Sequence, residues 1–397
     1  MATSFERARE IILDRSALLQ SEPVALMDLS GRVLAEDIVT QCELPRWNNS
    51  AMDGFAVSHA DNRVGAQLKI IGYIPAGAVA GDLNVVPGTA IKIMTGAPTP
   101  QGCQAVLPIE DTEYDEDTVT ILQPFKMGDH IRVKGEDISK NEVILTTGTV
   151  LRPAAINLLA TLGFTTVKVF KKPTVAILST GDELVEPGET VGAGQITNSN
   201  AYSIAAAVKE AGGEPILLGI ARDNRESLQQ KLNEGLKAEV LITSAGISMG
   251  DRDLVCDMLN ESGVEQIFWK VDIKPGRPTA FAVNNGKLIF SLPGNPVSTM
   301  VTFEEFVRPA LLKMQGHLNP IKDTVKATLT EAAKKKEGRV QFLRVFVSNS
   351  ENGLIATSSG DQNTGILSTM IRANGIAILP ADRDRIEAGE TVDIQMI

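Results

Sequence analysis

PTVAILSTG, residues 173–181, decides the fold. It is a short apolar run closed by glycine, the pattern of a buried strand. NAYSIAAAVKEAGG (200–213) follows, a helix with Ile204, Ala205 and Val208 on one side and Gly212 and Gly213 at its end. EPILLGI then reads as a strand, and NRESLQQKLNEGLK as a helix with Leu228, Leu232 and Leu236 at i, i+4, i+8. EVLITSAG, RDLVCDMLNESG and EQIFWKVDI continue as strand, helix and strand. FAVNNGKLIF reads as a hairpin turning at Asn285-Gly286. SLPGNPVSTMVTFEEFVRPALLKM closes the run as a strand end, a turn and a long helix. Alternating β and α units over 173–318 predict a parallel, doubly wound α/β sheet.

Outward from this core the texture changes twice. Residues 46–137 hold short β-rich runs (QLKIIGYI, AIKIM, QAVLPI, TVTILQPF) separated by Gly, Pro and Asp, which predicts an inserted β domain. Its acidic run EDTEYDED (110–117) reads as a solvated hairpin tip. Residues 319–397 return to β texture and predict a second small β domain. Residues 3–20 read as an amphipathic helix with a Thr3–Glu6 capping box and Phe5, Ala8, Ile11 and Ile12 on one face. RPAAINLLATLG, with Pro153 near its start and Gly163 at its end, is a second helix. Together 1–45 and 138–172 make one discontinuous helical domain.

Bulk composition narrows the function. The chain has 397 residues and a formal net charge of −11, so general nucleic-acid affinity is not expected. Three scattered cysteines (Cys42, Cys103, Cys256) and three histidines (His59, His130, His317) show no zinc spacing and suit a reducing, cytoplasmic setting. The amino terminus, MATSFERAREII, has no apolar core of a signal peptide, and no apolar run approaches membrane-spanning length, so no membrane association is expected.

In a doubly wound sheet, ligands bind beyond the carboxyl ends of the strands. Those loops carry Ser179, Thr180, Gly181, Asp182 and Glu183; then Asp223; then Ser244, Ala245, Gly246, Ser248, Gly250, Asp251 and Asp253. IKPGRP (273–278) and LPGNPVS (292–298) complete the rim. Taken singly, Asp182 caps a turn, Asp223 caps a helix and Asp253 sits in a first helical turn. Taken together, Glu183, Asp223 and Asp253 would repel one another unless a cation joined them, and hard carboxylate oxygens suit Mg²⁺ beside phosphates. In PGNPVS, Gly294 admits close backbone approach and Pro296 opens a helix whose free amides, with Ser298, suit an anion. IKPGRP places Lys274 and Arg277 on a proline-stiffened turn in an acidic protein. Neither a P-loop nor a G-x-G-x-x-G fingerprint is present. The residues alone therefore indicate a phosphorylated ligand, a divalent cation, and a basic loop for a second anion.

The ordered strings NNSAMDGFAV (48–57), IMTGAP (93–98), GEDI (135–138), STGDEL (179–184), GISMGDRD (246–253), IKPGRP, LPGNPVS and GDQNTGILSTMIRANGIAIL (360–379) resemble the MoeA family. These are the molybdopterin molybdotransferases, which include the gephyrin E domain. The resemblance runs nearly end to end. It implies four domains: the helical 1–45 plus 138–172, the β domain 46–137, an α/β molybdopterin-binding domain 173–318, and a C-terminal β-barrel 319–397. It implies a homodimer that inserts molybdate into adenylylated molybdopterin with Mg²⁺, releasing AMP. Glu183, Asp223 and Asp253 then belong to the Mg²⁺-associated acids. Asp53, Thr95 and Asp137 match positions needed for function, supplied from the partner subunit. Lys274, Arg277, Pro278, Ser298, Arg344 and Thr364 match the molybdate-gripping set. Ser179, Thr180, Gly181, Asp182, Ser244, Gly246, Ser248, Gly250, Pro293, Gly294 and Asn295 fall in the loops that cradle the pterin pyrophosphate. Arg277 stands where the family more often has Lys, exchanging a point donor for a planar fork. The rival activities are adenylylation of molybdopterin, which needs none of the flanking β domains, a gephyrin-like scaffold role, and generic Mg²⁺-dependent nucleotide hydrolysis. The molybdopterin adenylyltransferase is an expected partner.

Overall fold

The computed structural model describes residues 2–244, 258–259, 261 and 263–397. The chain divides into two compact units, residues 1–36, 147–160 and 164–397 in one, and 37–146 with 161–163 in the other.

In the first unit, α1 (Phe5–Arg15) is capped by Ser4, whose extended backbone lets its hydroxyl accept from the Arg7 amide at 3.3 Å. Thr3, the cap expected from its spacing to Glu6, is instead extended: its amide donates to the Lys270 carbonyl at 2.8 Å and it bridges Val271. The helix ends at Arg15, five residues short of the expected span, with Ser16 bonded back to the Ile12 carbonyl. A second helix, α2 (Pro153–Thr161), starts at Pro153 and turns out through Gly163 at φ 89°.

The central sheet contains β1 (Thr174–Thr180), β2 (Glu214–Ala221), β3 (Val240–Ser244), β4 (Glu265–Phe268), and, after β5 (Ile273–Lys274), β6 (Ala280–Asn284) and β7 (Lys287–Leu292). Its order is β2-β1-β3-β7-β6-β4, with β5 outside it. The first four strands are parallel. The sheet is doubly wound, and the hairpin read from FAVNNGKLIF makes β6 antiparallel to both β7 and β4. The cause is the two-residue turn at Asn285-Gly286, both left-handed (φ 50° and 81°), which only an antiparallel hairpin uses.

Alternating side chains give the sheet two buried faces. Val175, Ile177, Val240, Ile242, Leu288 and Phe290 meet α1, α3 (Asn200–Glu210), α5 (Pro296–Thr302) and α6 (Arg308–Met314). Ala176, Leu178, Leu241 and Ile289 meet Leu228 and Leu232 of α4 (Arg225–Gly235) on the other face. Each such leucine contributes about 2 kcal/mol by leaving water. One π-helical turn, Phe303–Val307, joins α5 to α6.

EQIFWKVDI is not one strand. It breaks after Phe268, and β5 joins the carboxy-terminal sheet, pairing parallel with β9 (Val340–Ser350) so that Ile273 faces Val340 and Lys274 faces Gln341. That sheet also holds β8 (Val325–Leu329), β10 (Gly353–Ser358), β11 (Gly375–Leu379) and β12 (Thr391–Met396). The order β9-β10-β8-β12-β11 closes through a β9–β11 pairing into a five-stranded barrel. Leu329, Val345, Val347, Ala356, Ala377 and Ile394 fill it.

The second unit is a six-stranded sheet running Ala105–Pro108, Gly54–Val57, Thr89–Ile93, Gln67–Ile74, Thr118–Ile121, Thr112–Tyr114. Phe55 and Val57 pack on one face, and Ala56, Ile91 and Val106 on the other. The acidic run is a hairpin tip. Asp115 accepts from the amides of Asp117 and Thr118 at 2.9 and 2.7 Å, which holds its carboxyl below the usual range.

Candidate active site

The carboxyl ends of β1, β3 and β7 open onto a cleft of about 450 Å³ lined by Ser179, Glu183, Asn200, Ser244, Gly294 and Asn295. Its geometry is set locally. Gly181 has φ 142°, and a Cβ there would lie 2.3 Å from the Glu183 carboxylate, so this turn admits only glycine. Arg222 holds the same loop by donating to the carbonyls of Gly181, Asp182 and Leu184 at 3.4, 3.2 and 3.0 Å. Asp182 accepts from the Asp223 amide at 3.2 Å, bringing the first two acidic loops together. Asp223 itself does not cap α4; Asn224 does. The buried hydroxyl of Thr180 has no partner among the described residues.

Two residues that sequence reasoning passed over, Asn198 and Asn200, tie the rim together, and the expected Asn295 joins them. Ser179 donates to Asn198 at 2.8 Å, and Asn198 donates to Glu186 at 3.2 Å. Asn200 donates to the Ser244 hydroxyl and to the Gly294 carbonyl, both at 2.8 Å, spanning two strand ends. Asn295 donates to Thr364 at 2.7 Å, which joins the PGNP turn to the barrel loop 360–365. The available signal was NSN (198–200) at the entry to a helix, where asparagine side chains are free to bond sideways. Gly246, Ser248, Gly250 and Asp253 lie outside the described residues.

Among the described residues no three side chains converge tightly enough to hold a metal by themselves. Glu183 and Asp223 are both exposed and offer only hard oxygen donors. That donor set fits Mg²⁺, which typically takes one or two carboxylates and completes its shell with waters and substrate phosphates.

IKPGRP leaves β5 and packs along α5. A Cβ on Gly276 (φ 101°) would lie 2.4 Å from Thr302 Cγ2 and 3.7 Å from the Ser298 carbonyl. Ser298 is buried there, while Lys274, Arg277 and Pro278 are exposed. Arg277 leans toward Asp272, Nε to Oδ1 at 3.7 Å. Pro293 accepts from Thr299 through its carbonyl at 2.5 Å.

Arg344 is 1% exposed, and its Nη2 donates to the carbonyls of Asp361 and Asn363 at 3.0 and 3.2 Å. Among the described residues its Nε has no partner and no carboxylate pairs with it. Burial pushes its pKa down, opposed by Asp361. Gln362 clamps the neighbouring backbone, accepting from the Arg344 amide at 3.0 Å and donating to the Arg344 carbonyl at 3.1 Å. Lys274 and Arg344 border a barrel-mouth pocket of about 270 Å³ together with Gln341, Lys334 and Gln362. The structure thus brings Ser179, Glu183, Ser244, Gly294 and Asn295 to one cleft, with Thr364 bonded to Asn295 at its edge, and Lys274 and Arg344 to a second pocket. Loop 360–365 serves both, with Gln362 lining the pocket and Gly365 the cleft.

In the second unit Asp53 accepts from both the amide and the hydroxyl of Thr95 at 2.7 Å. These bonds, the backbone one foremost, hold its carboxyl below the usual range. Asp137 is exposed, and its amide donates to the Leu44 carbonyl at 3.0 Å. No helix among the described residues is long and apolar enough to cross a membrane.

Comparison with known proteins matches three family models along the chain: the MoeA N-terminal region (domain I and II) over residues 3–163, the probable molybdopterin binding domain over 176–313, and the MoeA C-terminal region (domain IV) over 326–397. The molybdopterin molybdenumtransferase of Staphylococcus aureus (strain MRSA252) is 36% identical, covering 98% of this chain and 94% of its own. That of Haemophilus influenzae is also 36% identical, covering 99% and 98%. A crystal structure of the molybdopterin biosynthesis moeA protein from Pyrococcus horikoshii OT3 superposes with a TM-score of 0.85 at 32% identity, covering 100% of both chains. With full-length relatives above 30% identity and all three regions matched in order, this chain belongs to the MoeA family.

Proposed function

We propose that the protein is a molybdopterin molybdenumtransferase that inserts molybdate into adenylylated molybdopterin, with release of AMP. The observation that carries this reading is Arg344, a buried guanidinium with an unused Nε and no carboxylate partner among the described residues. Burying a cation is costly unless an anion joins it. Molybdate is a tetrahedral dianion with four acceptor oxygens, and paired cations with hydroxyls satisfy it as they satisfy phosphate. Lys274, Arg277, Ser298, Arg344 and Thr364 form that grip, with Pro278 stiffening the turn. The pterin pyrophosphate lies along the cleft bordered by Ser179, Glu183, Ser244 and Asn295, against the loops of STGDEL and PGNP. Glu183 and Asp223, with Asp253, hold Mg²⁺. When bound, this ion neutralises phosphate charge and polarises the phosphoanhydride. The chain's own contribution is to place the oxyanion beside the dithiolene and so couple metal transfer to adenylyl loss by proximity.

The wider assembly follows the same reading. The protein is a cytoplasmic homodimer of four-domain subunits, divided as 1–45 with 138–172, 46–137, 173–318 and 319–397. Asp53, Thr95 and Asp137 act from the partner subunit, and a molybdopterin adenylyltransferase supplies the substrate. The purified protein, given adenylylated molybdopterin, Mg²⁺ and molybdate, is expected to release AMP and form cofactor together. AMP release from generic nucleotides without any pterin, or ATP consumption with metal-free molybdopterin, would overturn the proposal.

A further inference from the structure

Lys274 and Gln341 are register partners across the parallel β5–β9 pair. Directly opposed residues of a parallel pair point to one face of the sheet, and both side chains border the barrel-mouth pocket. Gln341 is 6% exposed, and its Oε1 has no hydrogen-bond partner among the described residues. A buried amide oxygen left unpaired costs as much as a lost hydrogen bond, so its persistence asks for a donor that arrives. The ammonium on the facing residue is such a donor. Lys274 is exposed and has four rotatable bonds to restrict before it can hold an anion.

We propose that Gln341 is the positioning residue of Lys274, its amide oxygen accepting one ammonium proton so that the other two face the oxyanion. This rests on the oxyanion role of Lys274 given above. A neutral acceptor orients the cation without cancelling its charge, and a lysine offers three donors to divide between the amide and the anion. Gln341 therefore acts through Lys274 and touches no reacting atom.

The alternative geometry has Gln341 turning its NH₂ to donate to the dianion itself, and a double-mutant cycle with Lys274 separates the cases. Gln341→Met keeps length and removes the acceptor. Positioning predicts that Gln341→Met raises the molybdate half-saturation of cofactor formation about tenfold, with the maximal rate at saturating molybdate altered far less. Because the effect passes through the ammonium, adding Gln341→Met to Lys274→Ala should change half-saturation by no more than about twofold. Calorimetric titration of molybdate alone into each full-length variant should follow the same order, and thermal melts check that each is folded. Parent-like half-saturation in Gln341→Met, or an undiminished effect of Gln341→Met in the Lys274→Ala background, overturns the inference. Lys274→Ala run alongside separates the premises: an effect there without one at Gln341 sinks only the positioning role, whereas no effect at Lys274 sinks the oxyanion grip itself.

Discussion

At the scale of single residues, the pair Asp53 and Thr95 shows how much a short-range geometry can say. One carboxylate oxygen takes both donors of Thr95, backbone and side chain. The arrangement favours the ionised form of Asp53 by holding its pKa below the usual carboxylate value. An exposed carboxylate whose bonds are to one neighbour contributes modestly to folding. Asp53→Asn is therefore expected to shift the melting temperature by only a few degrees while lowering cofactor formation at least tenfold. Equal, small effects on both would show that the pair merely stiffens a turn. Arg277 is the counter-example among the cations. Its salt bridge to Asp272 at 3.7 Å is long and half-exposed, so releasing the guanidinium toward an oxyanion costs little.

At the scale of elements, IKPGRP changed its place more than its chemistry. The sequence shows a strand followed by a stiff cationic turn, and both exist. Period-two patterning does not say which sheet a strand joins, however, and β5 belongs with β9 of the barrel rather than with β4. That single switch is what puts Lys274 beside Gln341. The hairpin at Asn285-Gly286 was legible because its turn chemistry is local. The start of α1 was not, since Thr3 and Ser4 are equally good caps and only the bridge of Thr3 to Val271 chooses between them. In the site, Glu183, Ser244, Gly294 and Asn295 were legible as strand-end residues, whereas Asn198, Asn200 and Gln362 were not, because their partners lie across the fold. Gly276 offers the test at this scale. Its φ of 101° and the 2.4 Å approach to Thr302 leave no room for a methyl group. Gly276→Ala should destabilise by about 2 kcal/mol and raise the molybdate half-saturation, read from denaturant melts and the insertion assay. A variant with parent stability and altered half-saturation would place the effect in anion binding alone.

At the scale of the whole molecule, α1 joins two folding layers of the first unit. Phe5 meets Phe306 of the π-helical turn edge-on at 5.8 Å and Phe342 of the barrel at 5.3 Å. Arg9 lies 4.2 Å over the Phe5 ring and pairs with Glu305, which is 1% exposed. Burial pushes the Glu305 carboxyl up to about 7, and Arg9 pulls against that shift. A carboxyl whose folded pKa exceeds its ordinary 4.5 holds its proton longer in the native state than in the unfolded chain. Its contribution is complete below about pH 4.5 and is lost as pH rises through about 7. Glu305→Gln removes this dependence while keeping an oxygen acceptor for Arg9. Relative to the parent, the variant should gain stability between those limits by up to about 3 kcal/mol, most of it realised by pH 7. Denaturant melts of both proteins from pH 4.5 to 8 measure the difference. A gap that stays constant with pH would mean that Arg9 keeps Glu305 ionised throughout, and that α1 is held by an ordinary buried ion pair.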